Sequence, residues 1–380
     1  MNQIVIAFVT KKLSHFLRKI ESTVLQSSST LNRTYQYISH LCMQKEGYIM
    51  FKKALIVGID DYGANSLKGC CNDANCISEM LEKNADVNET PDFSVNCITV
   101  PCGSGESLTR GQLKTYIEDC FSGDSDIALF YFSGHGYIDA CGGYLVTTDY
   151  THNDYGVNMN DILAIVNNSK CKNRIVILDC CHSGFLGQNN AAGGECTIIN
   201  EGVTILSACR NKETSVEING HGVFTSLLLD ALSGLAADLL GHITPGNIYA
   251  YIDRALGPWG QRPVFKTNIT SFVSIRDVKP PIDIKILRNI CNLFESTESV
   301  LSLDPSYEYT NSIDIEHEVK PPYADTDHVK IFKQLQLLEG VGLVVPVDEE
   351  HMYWAAMHSK SCELTSLGKQ YWTLAKSNKF

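Results

Sequence analysis

Tyr131-Phe132-Ser133-Gly134-His135-Gly136 and Asp179-Cys180-Cys181-His182-Ser183-Gly184 decide the reading of this chain. Each closes an apolar, β-rich run, residues 126–132 in the first case and 174–178 in the second. Both runs are apolar on the two faces of an extended chain, as the central strands of a parallel sheet are. Sheets of that kind deliver catalytic groups at the carboxyl ends of their strands, which is where both segments fall. One strand end offers an imidazole and the other a thiol inside a glycine-punctuated turn. A thiol reacts as thiolate, and a histidine on the adjacent strand supplies the base that makes it one near neutral pH. Cysteine-based peptide hydrolysis is the chemistry these residue types suggest.

Outward from these two strands the pattern alternates strand and helix. Residues 54–59, 95–100 and 203–208 read as further strands, with helices over 72–81, 109–120, 158–166, 224–240 and 245–256. Thr109 is the expected N-cap of the second helix, and Thr244-Pro245 the cap and first position of the last. Residues 264–275 return as a last strand pair or an extended edge. This alternation predicts an α/β fold, a doubly wound, mostly parallel sheet flanked by helices, over residues 50–278.

The two ends have a different character. Residues 1–49 match nothing that follows and are expected as an extension outside the folded domain. Met50 is an alternative start, because Lys45-Glu46-Gly47 would be encoded by purine-rich codons resembling a bacterial ribosome-binding site. After Lys279-Pro280-Pro281, residues 279–326 read as a linker with one helix over 283–294. Residues 327–380 read as a small α+β module resembling the second half of a winged helix: a helix over 327–339, a hairpin of 343–347 with 352–357, and a final helix capped by Thr365. Residues 281–380 carry 9 Lys and Arg against 15 Asp and Glu, a net of 9 − 15 = −6. Phosphate would be repelled, so a regulatory protein rather than DNA is the expected partner of this module.

Composition narrows the class further. The whole chain has 31 Lys and Arg against 43 Asp and Glu, a net charge of −12, which argues against nucleic acid as a main partner. Its 44% hydrophobic and 19% charged residues are those of a globular protein. No run approaches the roughly 20 apolar residues of a membrane span, and residues 4–9 are too short for a secretory leader. Several of the fifteen cysteines sit inside apolar helix or strand patterns, as buried thiols do. A cytoplasmic location, where thiols stay reduced, is therefore expected.

Four motifs in sequence carry a family resemblance: Gly69-Cys70-Cys71-Asn72-Asp73-Ala74, Ser133-Gly134-His135-Gly136, Asp179-x-Cys181-His182-Ser183-Gly184, and Ser207-Ala208-Cys209 with Gly220-His221-Gly222-Val223-Phe224-Thr225. With them, residues 53–277 resemble the caspase-like cysteine peptidases, nearest to metacaspases and their bacterial relatives. The 46 residues from His135 to Cys181 are close to the caspase interval of roughly 50. The resemblance implies Cys181 as nucleophile and His135 as its partner. Cys180 would face the other side of an extended chain, and His182 would point away from the site. Backbone amides of Gly136 and Cys181 are the expected oxyanion donors.

The resemblance also implies a substrate class. The position that holds an arginine in caspases, which cleave after aspartate, is Leu67 here. Metacaspases line the corresponding pocket with residues matching Cys70, Asp73, Ser133 and Asp179. Two carboxylates in a half-buried pocket favour an Arg or Lys side chain through charge-assisted hydrogen bonds. Many metacaspases also bind activating calcium. Here Cys141-Gly142-Gly143 and Gly187-Gln188-Asn189 stand in the corresponding stretches and only Asp161 remains, too few for a cage of about 6–8 oxygens. No metal and no cofactor is expected. Residues 185–201 contain no Lys or Arg, so an enzyme of basic specificity is not expected to cut itself there. Bacterial relatives often act in stress or defence responses, which suggests a regulated endopeptidase; the alternative is a catalytically silent scaffold of the same fold.

Overall fold

The computed structural model describes residues 50–85, 90–140, 142–180, 186, 198–208, 217–218, 221–257, 262–312 and 319–380. Residues 1–49 lie outside this set, as do residues 181–185 with Cys181 among them.

The chain enters on β1 (Lys52–Ile59), and α1 (Cys70–Glu82) leads to β2 (Phe93–Val100). Next, α2 (Arg110–Cys120) precedes β3 (Ile127–Ser133). Three strands then leave the main sheet: β4 (Gly136–Asp139), β5 (Gly142–Thr151) and β6 (Asp154–Asn158). The chain returns through α3 (Met159–Asn168) to β7 (Asn173–Asp179) and then β8 (Val203–Ser207). The short pair β9 (Glu217–Ile218) and β10 (His221–Gly222) precedes α4 (Val223–Asp230). The domain closes with β11 (His242–Ile243), α5 (Pro245–Leu256), β12 (Val264–Asn268) and β13 (Arg276–Asp277).

The main sheet has the order β12-β8-β7-β3-β1-β2. Its strands are parallel except β12, which runs antiparallel to β8 at the edge. Every residue of β3 is buried, and all of β7 except Asn173, so these strands need apolar side chains on both faces. That requirement makes them readable in the sequence. α1, α4 and α5 pack together on one face. α2 and α3 cover the other, where they also contact the β4–β6 sheet. The helix starts follow their caps: Thr109 and Gln112 form a reciprocal capping box on α2, and Thr244 with Pro245 opens α5.

Three elements differ from the sequence expectation. The β4–β5–β6 antiparallel sheet was not foreseen. The helix expected over 224–240 runs regularly to Asp230, widens into a π turn over Ala231–Leu235 and stops there, with Gly234 at φ 130°. A left-handed residue ends a helix, and glycine adopts it without a Cβ clash. Of the strand pair or extended edge expected over 264–275, only β12 (264–268) forms, on β8; the next strand, β13, begins at Arg276 and pairs with β11.

The C-terminal residues form a small α+β module: α6 (Ile284–Leu293), β14 (Val300–Ser302), α7 (Thr326–Gly340), β15 (Val344–Val347), α8 (Met352–Met357), β16 (Ser361–Leu364) and α9 (Ser366–Lys376). Its antiparallel sheet has the order β14-β16-β15. Of residues 279–326, read from sequence as a linker, residues 282–303 belong to this module. Ile282, Leu287, Ile290, Phe294 and Leu303 share one buried cluster with Phe332, Leu335 and Leu338, and β14 is a strand of the sheet. The hairpin is β15 with β16; residues 352–357 form a helix instead of its second strand. Met352, Ala355 and Ala356 are buried at i, i+3 and i+4, the spacing of a helix face.

Candidate active site

Strands β3 and β7 are paired so that Ser133 lies opposite Asp179. His135 is two residues past the first member of that pair and Cys181 two past the second. Gly134 donates its N–H to Asp179 O at 3.4 Å and carries the chain over the strand end. A Cβ on Gly134 would stand 2.5 Å from the Tyr62 hydroxyl and 2.9 Å from the Phe132 ring, so only glycine fits. The Tyr62 hydroxyl accepts the His135 N–H at 3.1 Å and donates to Val146 O at 3.2 Å. Burial pushes the Tyr62 phenol well above its ordinary value, so it stays protonated and keeps both bonds.

The His135 ring is set by two further contacts. Its Nε2 lies 2.7 Å from the Asn65 carbonyl oxygen, and the Tyr62 ring is tilted against it with centroids 4.6 Å apart. A carbonyl only accepts, so Nε2 carries the proton and Nδ1 of the neutral ring keeps a free lone pair. In that tautomer Nδ1 is the nitrogen able to accept a hydrogen bond or a proton. Gly136 begins β4 opposite Leu145, while His135 O accepts from Val146 N at 2.9 Å. Gly136 and Leu145 therefore form a non-hydrogen-bonded pair, and the Gly136 N–H points away from β5.

On the α1 and α4 side of His135 two carboxylates converge. Asp73, in the first turn of α1, is 1% exposed, and Asp179, at the end of β7, is 4% exposed. The expectation of a half-buried pocket is corrected here: both acids are fully buried. The Cα of Gly222 is wedged between them, since a Cβ there would lie 2.3 Å from Asp179 Oδ2 and 3.4 Å from Asp73 Oδ2. Gly222 N donates to Asp73 Oδ2 at 3.1 Å, and Ser133 Oγ lies 3.4 Å from the same oxygen. His221 Nδ1 approaches Asp73 Oδ1 at 2.7 Å, and Asn72 Nδ2 lies 2.9 Å from His221 Nε2. Thr225 donates to Asp179 Oδ2 at 2.7 Å, which leaves its oxygen to accept from the Tyr131 hydroxyl at 2.6 Å.

This crowding has an electrostatic cost. Burial raises the Asp73 carboxyl to about 6; the charge of Asp179 adds to that, and hydrogen bonds from His221 and Gly222 oppose it. Burial, with the nearby charges of Asp179 and Asp73, also pushes the Tyr131 phenol well above its usual range. Two like charges in one dry pocket are unfavourable until a cation joins them; His221 Nδ1 donates to Asp73 while its Nε2 accepts from the Asn72 amide.

The four residues expected in the substrate pocket are thus placed as follows. Asp73, Ser133 and Asp179 meet. Cys70 lies one turn before Asp73 on α1, buried, with its backbone N–H donating to Asp60 Oδ1 at 2.9 Å. Cys180 is fully buried in the hydrophobic core, on the side of the chain away from Asp179. Asp161 pairs with Lys114 at 3.0 Å between α2 and α3. Among the described residues no group of three or more His, Cys, Asp or Glu side chains is placed to hold a metal ion. Sequence reasoning missed the Asn65 carbonyl, which has no side-chain signature. It also gave His221 and Thr225 no role, although both stand in the Gly220–Thr225 motif.

Among known proteins, the family model of the caspase domain matches residues 51–262. No curated protein matches the chain. Solved structures similar to it include protein GSU0716 from Geobacter sulfurreducens, at 17% identity over 60% of this chain and 100% of that one, with a TM-score of 0.43. Caspase-1 from Spodoptera frugiperda is another, at 14% identity over 61% of this chain and 92% of that one, with a TM-score of 0.44. The family match spans more than half of the chain and both strand ends described above, so the chain belongs to the caspase-domain family of cysteine-type peptidases.

Proposed function

We propose that this peptidase is an endopeptidase that cuts after Arg or Lys, with Cys181 as nucleophile and His135 as base and then acid. His135 Nδ1 takes the thiol proton, and the thiolate attacks the scissile carbonyl. The N–H groups of Gly136 and Cys181 receive the developing oxyanion. As the C–N bond breaks, His135 returns the proton to the leaving amine; water then cleaves the thioester with the same residue as base. The observation that carries the basic specificity is the meeting of Asp73 and Asp179 at Gly222, behind Ser133 and two residues before His135. An Arg or Lys side chain entering there brings a cation to the two carboxylates and gains charge-assisted hydrogen bonds.

The C-terminal module is assigned to regulation through a protein partner, on its net negative charge and on its α7, β15–β16 hairpin and α9, which suit a winged-helix-like module although α8 is inserted in the hairpin. No described helix is long and apolar enough to cross a membrane, and the ten described cysteines are free thiols. These support a cytoplasmic effector, in keeping with a stress or defence role. Profiling on a randomised peptide library, with Cys181→Ala as control, tests the reading. Cutting after Arg and Lys by the wild type alone is expected. Cutting after Asp would overturn the pocket assignment, and no cutting at all would favour a silent scaffold.

A further inference from the structure

A cavity of about 440 Å3 opens beside His135 on the side away from the two carboxylates. Four tyrosines, Tyr62, Tyr137, Tyr150 and Tyr155, and Val146 form most of its walls, completed by Asn65, Ser66, His135 and Gly136. Neither the mechanism nor the acidic pocket uses it. Its size falls within the roughly 300–1,000 Å3 of ligand pockets. Among the described residues no Asp, Glu, Lys or Arg lines it.

The fold fixes which part of a substrate reaches this cavity. Asp73, Gly222 and Thr225 come from α1, β10 and α4, on one face of the main sheet. Tyr137, Val146, Tyr150 and Tyr155 come from β4–β6, which pack with α2 and α3 on the other face. His135 stands between the two, at the sheet end. A substrate whose basic side chain is in the acidic pocket therefore crosses the sheet end at His135 and continues toward the aromatic cavity. The amine that leaves must touch His135 to receive its proton, so the residue carrying that amine is the one beside the cavity.

The walls are held rigidly. Tyr137 and Tyr155 rings are 4.0 Å apart, and Tyr62 and Tyr150 rings 6.5 Å. The Tyr150 hydroxyl lies 3.3 Å from Asn65 Nδ2 and 3.5 Å from Tyr62 O. Tyr137 and Tyr150 remain 40% and 36% exposed, apolar surface that a ligand ring would cover. We propose that this cavity binds an aromatic side chain, Phe or Tyr, on the residue that follows the scissile bond. The pocket makes the enzyme selective on both sides of the cut: a basic residue before it and an aromatic one after it. This rests on the reading of His135 as the acid that protonates the leaving amine.

A peptide library randomised at both positions reads the two specificities separately. The expected result is enrichment of Phe and Tyr over Gly and Glu after the cut, by about 10-fold or more in kcat/KM, the scale of burying one aromatic side chain. Tyr137→Ala with Tyr155→Ala should flatten that enrichment while the basic preference before the cut persists; Tyr155→Phe should retain it. Equal cleavage of Arg–Phe and Arg–Gly peptides by the wild type would overturn the aromatic pocket and leave the basic specificity standing. Aromatic enrichment after the cut with no basic preference before it would support the cavity and refute the acidic pocket. An unchanged aromatic preference in the double variant would overturn the assignment of the cavity as its source.

Discussion

Asp73→Asn separates what the acidic pocket does for binding from what it costs in stability. In the folded protein the Asp73 carboxyl is raised from 3.8 to about 6, chiefly by burial. At about 1.4 kcal/mol per pKa unit, keeping it ionised costs roughly 3 kcal/mol of folding free energy at neutral pH. The sign follows from proton binding. Between pH 4 and 6 the folded state holds the proton more tightly than the unfolded chain, so stability falls as pH rises through that window and levels off above it. Asparagine keeps an oxygen for Gly222 N but carries no charge. It also gives up the carboxylate's hydrogen bond from His221 Nδ1, which offsets part of the gain. The variant should therefore be about 1–3 kcal/mol more stable than wild type at pH 7.5, and the gap should narrow at pH 5. Urea denaturation followed by circular dichroism at the two pH values measures this. The same substitution should weaken the preference for Arg over neutral residues by about 1 kcal/mol or more. A variant less stable than wild type at pH 7.5, or a gap independent of pH, would refute the argument that burial of the charge dominates this site.

Other outcomes follow from the same geometry. Cys181→Ala should abolish peptide cleavage, and His135→Ala should lower kcat by at least about two orders of magnitude, measured on any cleaved peptide. Gly222→Ala should remove cleavage after Arg, because its Cβ would stand 2.3 Å from Asp179 Oδ2; unaltered kcat/KM for Arg peptides would place the basic side chain elsewhere. Residues 185–201 contain no Lys or Arg, so mass spectrometry of the active enzyme should find that segment uncut.

Much of this molecule was legible before any coordinates. β3 and β7 were readable because central parallel strands need apolar residues on both faces, and α2 because Thr109 marks its start as an N-cap. The β4–β6 sheet was not, since its Gly142-Gly143 start and polar alternation gain their stability from packing against α2 and α3. Residues 352–357 look like a strand through Tyr353 and Trp354, yet Met352, Ala355 and Ala356 bury one helical face. Asp73 and Asp179 were found from motifs, but their depth of burial was not, because it depends on Gly222 closing over them from a stretch more than forty residues away. The Asn65 carbonyl that orients His135 belongs to the backbone, which no residue type announces.

The parentage of the two sides of the cleft has a practical consequence. The aromatic wall comes largely from one uninterrupted stretch, β4 to β6, that pairs with itself and hangs from the main sheet through its two ends. The acid pocket is assembled from four separated pieces, at residues 73, 133, 179 and 221–225. On the two proposed specificities, a cassette swap of residues 137–157 between relatives would re-tool what the enzyme accepts downstream of the cut, with the upstream selectivity inherited unchanged. The reverse operation has no such cassette: altering the basic pocket means matching changes at several places in the chain. Recombination, in the laboratory or in evolution, has an easy handle on one half of the recognition sequence and almost none on the other.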